Sequence, residues 1–397
     1  LNETVDEYGL QDKIRFNRKV VDASWSSEEA LWTVTLAHGD GTHSTVKCNF
    51  LHMCSGYYDY QQGHNPDFPG KADFAGDIVH PQFWPEDLDY SGKKVVVIGS
   101  GATAVTLVPS MAATAEHVTM LQRSPTYIVS RPGEDKWALR LRKFLPAKLA
   151  YLLTRWKNVL LGIFMFNLAR KKPAGFKQRL LEMVQDEMGA DVDMTHYTPS
   201  YNPWDQRLCL VPDSDLFASI KSGKASIVTD QGEKFTRDGI KLKSGKMIKA
   251  DIIVTATGLK MLTGGSAKIS VDGQPVNFGE KINYKGVMFS GIPNFGMTMG
   301  YTNASWTLKA DLTSEYVCRL VNYMDKNGTP IATQRAIKDL PKQGDRKPWR
   351  LNQNYPKDII NLRHKAVNDG VIVFSRPSAG AARLPEQPAE AEAIAAE

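Results

Sequence analysis

The sequence predicts an α/β protein organised around a dinucleotide-binding βαβ unit, and two observations carry that expectation. Residues 92–124, GKKVVVIGSGATAVTLVPSMAATAEHVTMLQRS, read strand, glycine turn, helix, strand in unbroken order. Two further apolar strands, 50–54 and 251–258, run out into small residues, Ser55-Gly56 and Ala256-Thr257-Gly258, as strands do where a ligand or a second backbone comes close.

Within the central unit, Val95 to Ile98 is a short β-branched run suited to a buried parallel strand. Gly99-Ser100-Gly101-Ala102-Thr103-Ala104 follows at once and fits GxGxxG/A. Gly99 permits the tight turn, Gly101 lets backbone N–H groups approach a pyrophosphate, and Ala104 lets the helix pack on the strand. Thr103 stands at the same turn, where the positive end of a helix favours an anion. Pro109 removes a hydrogen bond about two turns into that helix. The second strand, His117 to Leu121, ends at Gln122-Arg123-Ser124. An NAD site places a carboxylate near here for the ribose 2′-hydroxyl; a guanidinium and a hydroxyl suit a 2′-phosphate, so the residues favour NADPH.

Taken in order, residues 2–9 read as a helix end and Ile14 to Val21 as a strand. Leu31 to Leu36 and Ser44 to Asn49 form a hairpin about the HGDG turn at 38–41. Residues 59–91, rich in Asp, Gly, Pro and aromatics, read as a linker. Residues 136–191 are helical in pattern and basic. Val159 to Phe166 is an eight-residue apolar run, too short to span a bilayer by itself. With Lys143, Lys148, Arg155, Lys157, Arg170, Lys171 and Lys172 around it, the segment reads as a helical insert covering the active site, or as an amphipathic helix on a membrane surface. Short strands are expected from Ala225 to Ile248, and a helix of about five turns within 288–324. A short helix is expected over Lys357 to Ala366, a last strand over Val371 to Phe374, and a disordered tail over 376–397.

Composition bounds the function classes. The chain has 397 residues, enough for two domains, and an apolar fraction of 42% with 23% charged residues, as in soluble globular proteins. A net charge of +6 agrees with anionic cofactors without pointing to nucleic acid. Cys48, Cys54, Cys209 and Cys318 lie in no CxxC spacing, which argues against zinc, a redox dithiol and a disulfide framework, and makes a reducing cytoplasm the simplest location.

Immediately before the glycine turn stands Phe74-Ala75-Gly76-Asp77-Ile78-Val79-His80-Pro81-Gln82-Phe83-Trp84-Pro85. It matches FxGxxxHxxxW[PD], a fingerprint of the Baeyer–Villiger monooxygenases, class B flavoprotein monooxygenases. GSGATAVTLVPSMA, VTMLQRSPTY, YNPWDQRLCLVPDSDLF, DIIVTATGL and IPNFGMTMGYTNASWTLKADL extend the resemblance over nearly the whole chain, towards the branch that includes the ethionamide-activating monooxygenases. The resemblance implies two Rossmann-like domains, an NADPH domain inserted in an FAD domain. On that plan residues 1–58 and 251–375 belong to the FAD domain, 59–91 link, and 92–250 bind NADPH, with 136–191 as the helical insert. Gly56 and Gly258 mark the two crossings.

The resemblance further implies a reaction. NADPH reduces FAD, O₂ adds at the flavin C4a, and the peroxyflavin converts a ketone to an ester or oxidises the sulfur of a thioether or thioamide. A fixed cation favours the anionic peroxide and the oxyanion that follows. Arg207, within Trp204-Asp205-Gln206-Arg207-Leu208, matches the family's active-site arginine, with Asp205 as its orienting partner; a structural Arg–Asp pair in a surface loop is the other reading. His80 is expected to position cofactor and linker rather than to donate a proton, and Trp84 to move with it. Asn303 and Trp306, in GYTNASW, are placed near the flavin ring, although Trp306 fits a core aromatic equally.

The family's first GxGxxG and its GGTW…YPGxRxD segment do not occur in these residues. The expectation is therefore of a chain lacking the N-terminal FAD unit, binding FAD weakly or not at all by itself. The alternatives are an N-hydroxylating or N-/S-oxidising flavin monooxygenase, and a non-catalytic NADP-binding fragment. A small-molecule ketone or sulfur compound and O₂ are the expected partners, with peripheral membrane contact through the basic insert.

Overall fold

The computed structural model describes residues 1–206, 208–301 and 306–335, with two strands, Ala366–Val367 and Val371–Ser375, beyond them. Arg207, Asn303, the helix expected over Lys357 to Ala366 up to its last residue, which opens a strand instead, and the tail from 376 lie outside the described residues. Two compact units result: Gln61–Lys260 is the core of one, and Leu1–Tyr60 with Met261 onward is the core of the other. Each boundary falls inside a short strand, Tyr58–Gly63 and Leu259–Met261.

The Gln61–Lys260 unit is built on a five-stranded sheet in the order Ala225–Thr229, His117–Gln122, Lys94–Ile98, Ile252–Val254, Asp77–Val79, parallel throughout. Its three central strands are buried on both faces, which is why they read as continuous apolar runs. Along Lys94–Ile98 the side chains alternate. Val95 and Val97 pack with Val105, Val108 and Met111 of the Ala102–Ala112 helix. Val96 faces Phe235, Ile240 and Leu242 of a three-stranded antiparallel sheet on the other side. Pro109 is carried inside the helix without ending it.

The stretch 59–91 is more than a linker. It contributes Asp77–Val79, the edge strand beside Ile252–Val254. Three residues are too few for a period to show in sequence. The expected helical stretch resolves into three helices, Lys136–Phe144, Ala147–Lys171 and Pro173–Met188. The eight-residue apolar run is therefore part of a 25-residue helix, long and apolar enough by length and composition to cross a membrane.

In the other unit, Leu31–His38 and His43–Cys48 form the expected hairpin, Arg18–Ser26 pairs antiparallel with Leu31–His38, and Lys268–Val271 adds parallel to Arg18–Ser26. The first strand begins at Arg18 rather than Ile14. Trp25, Trp32, Phe289 and Phe295 fill the core beneath this sheet. Leu51–Met53 pairs parallel with Phe295–Met297, and the long helix is Trp306–Asn327.

Candidate active site

The glycine turn is formed by two distinct devices. Gly99 has φ +143°, and a Cβ there would lie 2.4 Å from the Ala256 carbonyl oxygen, so both conformation and space exclude a side chain. Gly101 is the residue before the helix and supplies no side-chain cap. The first-turn N–H groups therefore face outward without an intrahelical partner, which is the requirement for a phosphate site. Ala104 is fully buried against the sheet, as expected. Thr103 is exposed and lines an open groove of about 470 Å³ with Pro81, Trp84, Ala102, Thr106 and Leu107. Trp84 rests on the unit's core, edge-to-face with Tyr90 at 6.4 Å, and forms an aromatic wall of that groove.

At the end of the next strand Arg123 and Ser124 are both exposed, and Arg123 makes no ion pair among the described residues. The Ser100 hydroxyl donates to the Ser124 carbonyl (3.3 Å), tying the turn to the segment that bears the guanidinium. These residues fit a nicotinamide dinucleotide with an extra phosphate: uncapped N–H groups, an aromatic wall, and a free cation one strand away.

Four of the five defined positions of the fingerprint have a physical reason, Trp84 as the wall of the groove described above. Phe74 is buried against Phe235 (6.4 Å). Gly76 lies where a Cβ would meet the Asp251 carbonyl oxygen at 2.0 Å. His80 ties three segments together. Its Nδ1 accepts from the Gln82 N–H (3.2 Å), which leaves the proton on Nε2 to donate to the Gly258 carbonyl (3.1 Å). The same carbonyl accepts the His64 N–H (3.1 Å), and the Thr257 hydroxyl donates to the His64 carbonyl (2.5 Å). Gly258 has φ +111°, a backbone conformation that favours glycine. His80 thus holds its own segment against residues 63–64 and 257–258. Sequence reasoning found His80 and Gly258 but missed Gly63 and His64, which carry no motif. A glycine beside a crossing strand was the available signal.

Asp205 forms an ion pair with Arg170 near the end of the Ala147–Lys171 helix. The partner expected from sequence was Arg207, which lies outside the described residues. Arg170 was missed because it stands 35 residues away, where no spacing rule reaches it. Burial, with Tyr201 and Asp205 nearby, pushes the Tyr127 phenol well above its ordinary range, and its hydroxyl donates to the Tyr201 carbonyl (2.6 Å).

In the other unit, Gly56 adopts φ +67° just past the Leu51–Met53 strand. Beside it the Ser55 hydroxyl is buried with no hydrogen-bond partner among the described residues. That orphaned group and the glycine turn fit the close approach of a dinucleotide. Trp306 opens the Trp306–Asn327 helix, 5.0 Å from Tyr57, and a Cβ at Gly300 would fall 2.1 Å from its indole. It is a packed aromatic; Asn303 lies outside the described residues. His52 approaches the Thr298 hydroxyl (2.9 Å), and burial lowers its pKa. Among the described residues no His, Cys, Asp and Glu side chains cluster as a metal site.

Glycine turn, aromatic wall and exposed guanidinium are the features of a dinucleotide-binding protein. The chain belongs to the flavin-binding monooxygenase-like family, whose model matches residues 1–260, and it is a flavin-dependent monooxygenase. It is 50% identical over 399 residues to FAD-containing monooxygenase EthA of Mycobacterium tuberculosis (strain ATCC 25618 / H37Rv), covering 95% of this chain and 81% of that protein. It is 48% identical over 399 residues to the probable FAD-binding monooxygenase AlmA of Acinetobacter baylyi (strain ATCC 33305 / BD413 / ADP1), covering 95% and 80%. Its fold matches an open crystal structure of cyclohexanone monooxygenase with TM-score 0.66 at 21% identity, over 83% of this chain and 72% of that one. It likewise matches oxidized steroid monooxygenase bound to NADP, with TM-score 0.67 at 22% identity over 85% and 72%.

Proposed function

We propose that this monooxygenase uses FAD and NADPH to insert one oxygen atom of O₂ into a ketone, giving an ester, or to add it to the sulfur of a thioether or thioamide. The other oxygen leaves as water, with NADPH and a proton supplying the two electrons and two hydrogens. FAD, when bound, supplies the activation of dioxygen.

The observation that carries this reading is the glycine turn opening on the Trp84-walled groove, with Arg123 exposed at the end of the next strand. The N–H groups of 102–104 hold the pyrophosphate of NADPH, and Arg123 and Ser124 hold its 2′-phosphate. His80 keeps the linker, and with it Trp84, in place against the crossing segments. Ser55 and Gly56 accept the flavin dinucleotide, and Trp306 stands on the flavin side. Arg207 supplies the cation that favours negative charge on the reacting oxygen, and Asp205, held by Arg170, fixes the loop that bears it. Residues 1–58 and 251–375 form the FAD domain and 92–250 the NADPH domain. The enzyme is cytoplasmic, and its basic helical insert touches a membrane peripherally.

A substrate panel tests the proposal. With FAD and NADPH supplied, cyclic and aryl ketones should yield esters and thioethers should yield sulfoxides, each product formed with one NADPH consumed. Turnover restricted to amines would replace this reading with N-hydroxylation.

A further inference from the structure

We propose that the hairpin formed by the Lys136–Phe144 and Ala147–Lys171 helices is a docking surface for a bilayer bearing acidic headgroups, lying in the plane of the interface. This rests on the peripheral contact given above and names its partner, its face and its orientation.

Charge chooses the partner. From Lys136 to Lys172 the sequence carries ten Lys and Arg residues and no Asp or Glu, against +6 for the whole chain, so the rest of the protein is net acidic. Around the hairpin tip, Arg140, Arg142, Lys143 and Lys148 make no ion pair among the described residues. A second copy seated on this face would oppose one basic surface to another. An anionic lipid surface complements it, each added Lys or Arg strengthening binding roughly five-fold.

Exposure chooses the face. Leu149, Leu152, Leu153, Trp156, Leu160 and Phe164 are all exposed, Trp156 by 60%. At 100° per residue they share one stripe about 120° wide. Away from the stripe, Ala150, Met165, Leu168 and Ala169 are buried or half-buried, although Tyr151 and Leu161 are exposed there too. Lys148 and Arg155 border the stripe on one side and Lys157 on the other. Phe144, 83% exposed, stands at the tip. The hairpin is fixed. Asp135 caps the shorter helix through the N–H groups of Trp137 and Ala138, and its other carboxylate oxygen pairs with Lys157 (2.6 Å).

Connectivity chooses the orientation. The strands before and after this segment, Tyr127–Arg131 and Leu208–Pro212, pair parallel in one sheet, so both ends of the segment are anchored in the same unit. The longer helix has the length to cross a bilayer. Neither flanking helix can bring the chain back across a core about 30 Å thick: the shorter one has nine residues, about 13 Å, and Pro173–Met188 packs into the unit's core through Phe176, Leu180 and Val184. An in-plane helix satisfies both ends.

Vesicle flotation of the full chain tests this. The protein should float with phosphatidylcholine vesicles containing 30% phosphatidylglycerol and at least ten-fold less with phosphatidylcholine alone. Leu153→Glu/Leu160→Glu and Arg140→Glu/Lys143→Glu should each reduce flotation at least ten-fold, with circular dichroism and NADPH consumption in lipid-free buffer unchanged. Equal flotation with both vesicle types would keep a membrane contact and overturn the acidic-headgroup partner. No flotation would overturn both. Wild-type dimerisation abolished by Leu153→Glu/Leu160→Glu would assign the face to a second copy instead. Flotation reads the surface and NADPH consumption reads the oxygenase, so either can fail alone.

Discussion

The imidazole of His80 lies against the backbone of Gly63, where a Cβ would fall 2.1 Å from Cε1 and 2.3 Å from Nε2. His80 holds its place only because residue 63 has no side chain. From that place Nε2 reaches the Gly258 carbonyl and Nδ1 the Gln82 N–H.

Gly63→Ala should therefore displace the His80 ring with no direct change at the nucleotide turn. Misplacing a positioning group by about 1 Å costs on the order of 100-fold in rate. Steady-state turnover with NADPH should fall by about 10- to 100-fold, while the dissociation constant of NADP⁺ changes by less than about 3-fold. A variant with wild-type turnover would remove His80 from a positioning role.

Arg123→Ala should weaken NADPH selectively. A hydrogen bond to a charged group contributes about 1.5–3 kcal/mol, so KM for NADPH should rise by roughly 10- to 150-fold. KM for NADH, which lacks the 2′-phosphate, should stay nearly constant. Arg123→Lys should recover part of the loss, because it keeps the charge and forfeits the fork. Measuring both coenzymes against all three proteins checks this.

Gly99→Ala combines a left-handed backbone with a Cβ 2.4 Å from a carbonyl oxygen. The fold should lose more than about 1 kcal/mol. Nucleotide binding should fall further, since the turn itself must shift. Gly92→Ala, also at positive φ (+64°) but in open space, should cost only the backbone term. Chemical denaturation of the two variants separates the contributions.

Acid should act through His52. Burial lowers its pKa below the ordinary 6.5, so below that value the unfolded chain binds a proton that the folded chain refuses. Its contribution to stability therefore rises with pH across the window between the lowered folded value and 6.5, and is lost as pH falls through that window. Between pH 7.5 and 5.5 the thermal midpoint of His52→Gln should fall less than that of the wild type.

The sequence made some parts of this molecule legible and hid others for physical reasons. The βαβ unit could be read because its strands are buried on both faces and its turn needs glycine. The hairpin about 38–41 could be read because Leu31–His38 buries alternate residues and a glycine turn follows it. Asp77–Val79 escaped because three residues hold no period. The pairing of Asp205 with Arg170 escaped because a long helix brings distant residues together. Likewise, the role of Gly63 depends on a ring 17 positions away in sequence, visible only once the crossing segments are folded. The exposed stripe on the Ala147–Lys171 helix was ambiguous because both of its faces are apolar; only packing separates them.

The most direct test of the central claim is a turnover in ¹⁸O₂. The protein, with FAD and NADPH supplied, is given an aryl methyl thioether or a cyclic ketone, and the product is weighed by mass spectrometry. The account predicts one ¹⁸O per product molecule, one NADPH consumed for each, and loss of the labelled product on Arg207→Ala. Unlabelled product, or NADPH oxidation yielding only hydrogen peroxide with every substrate, would contradict it.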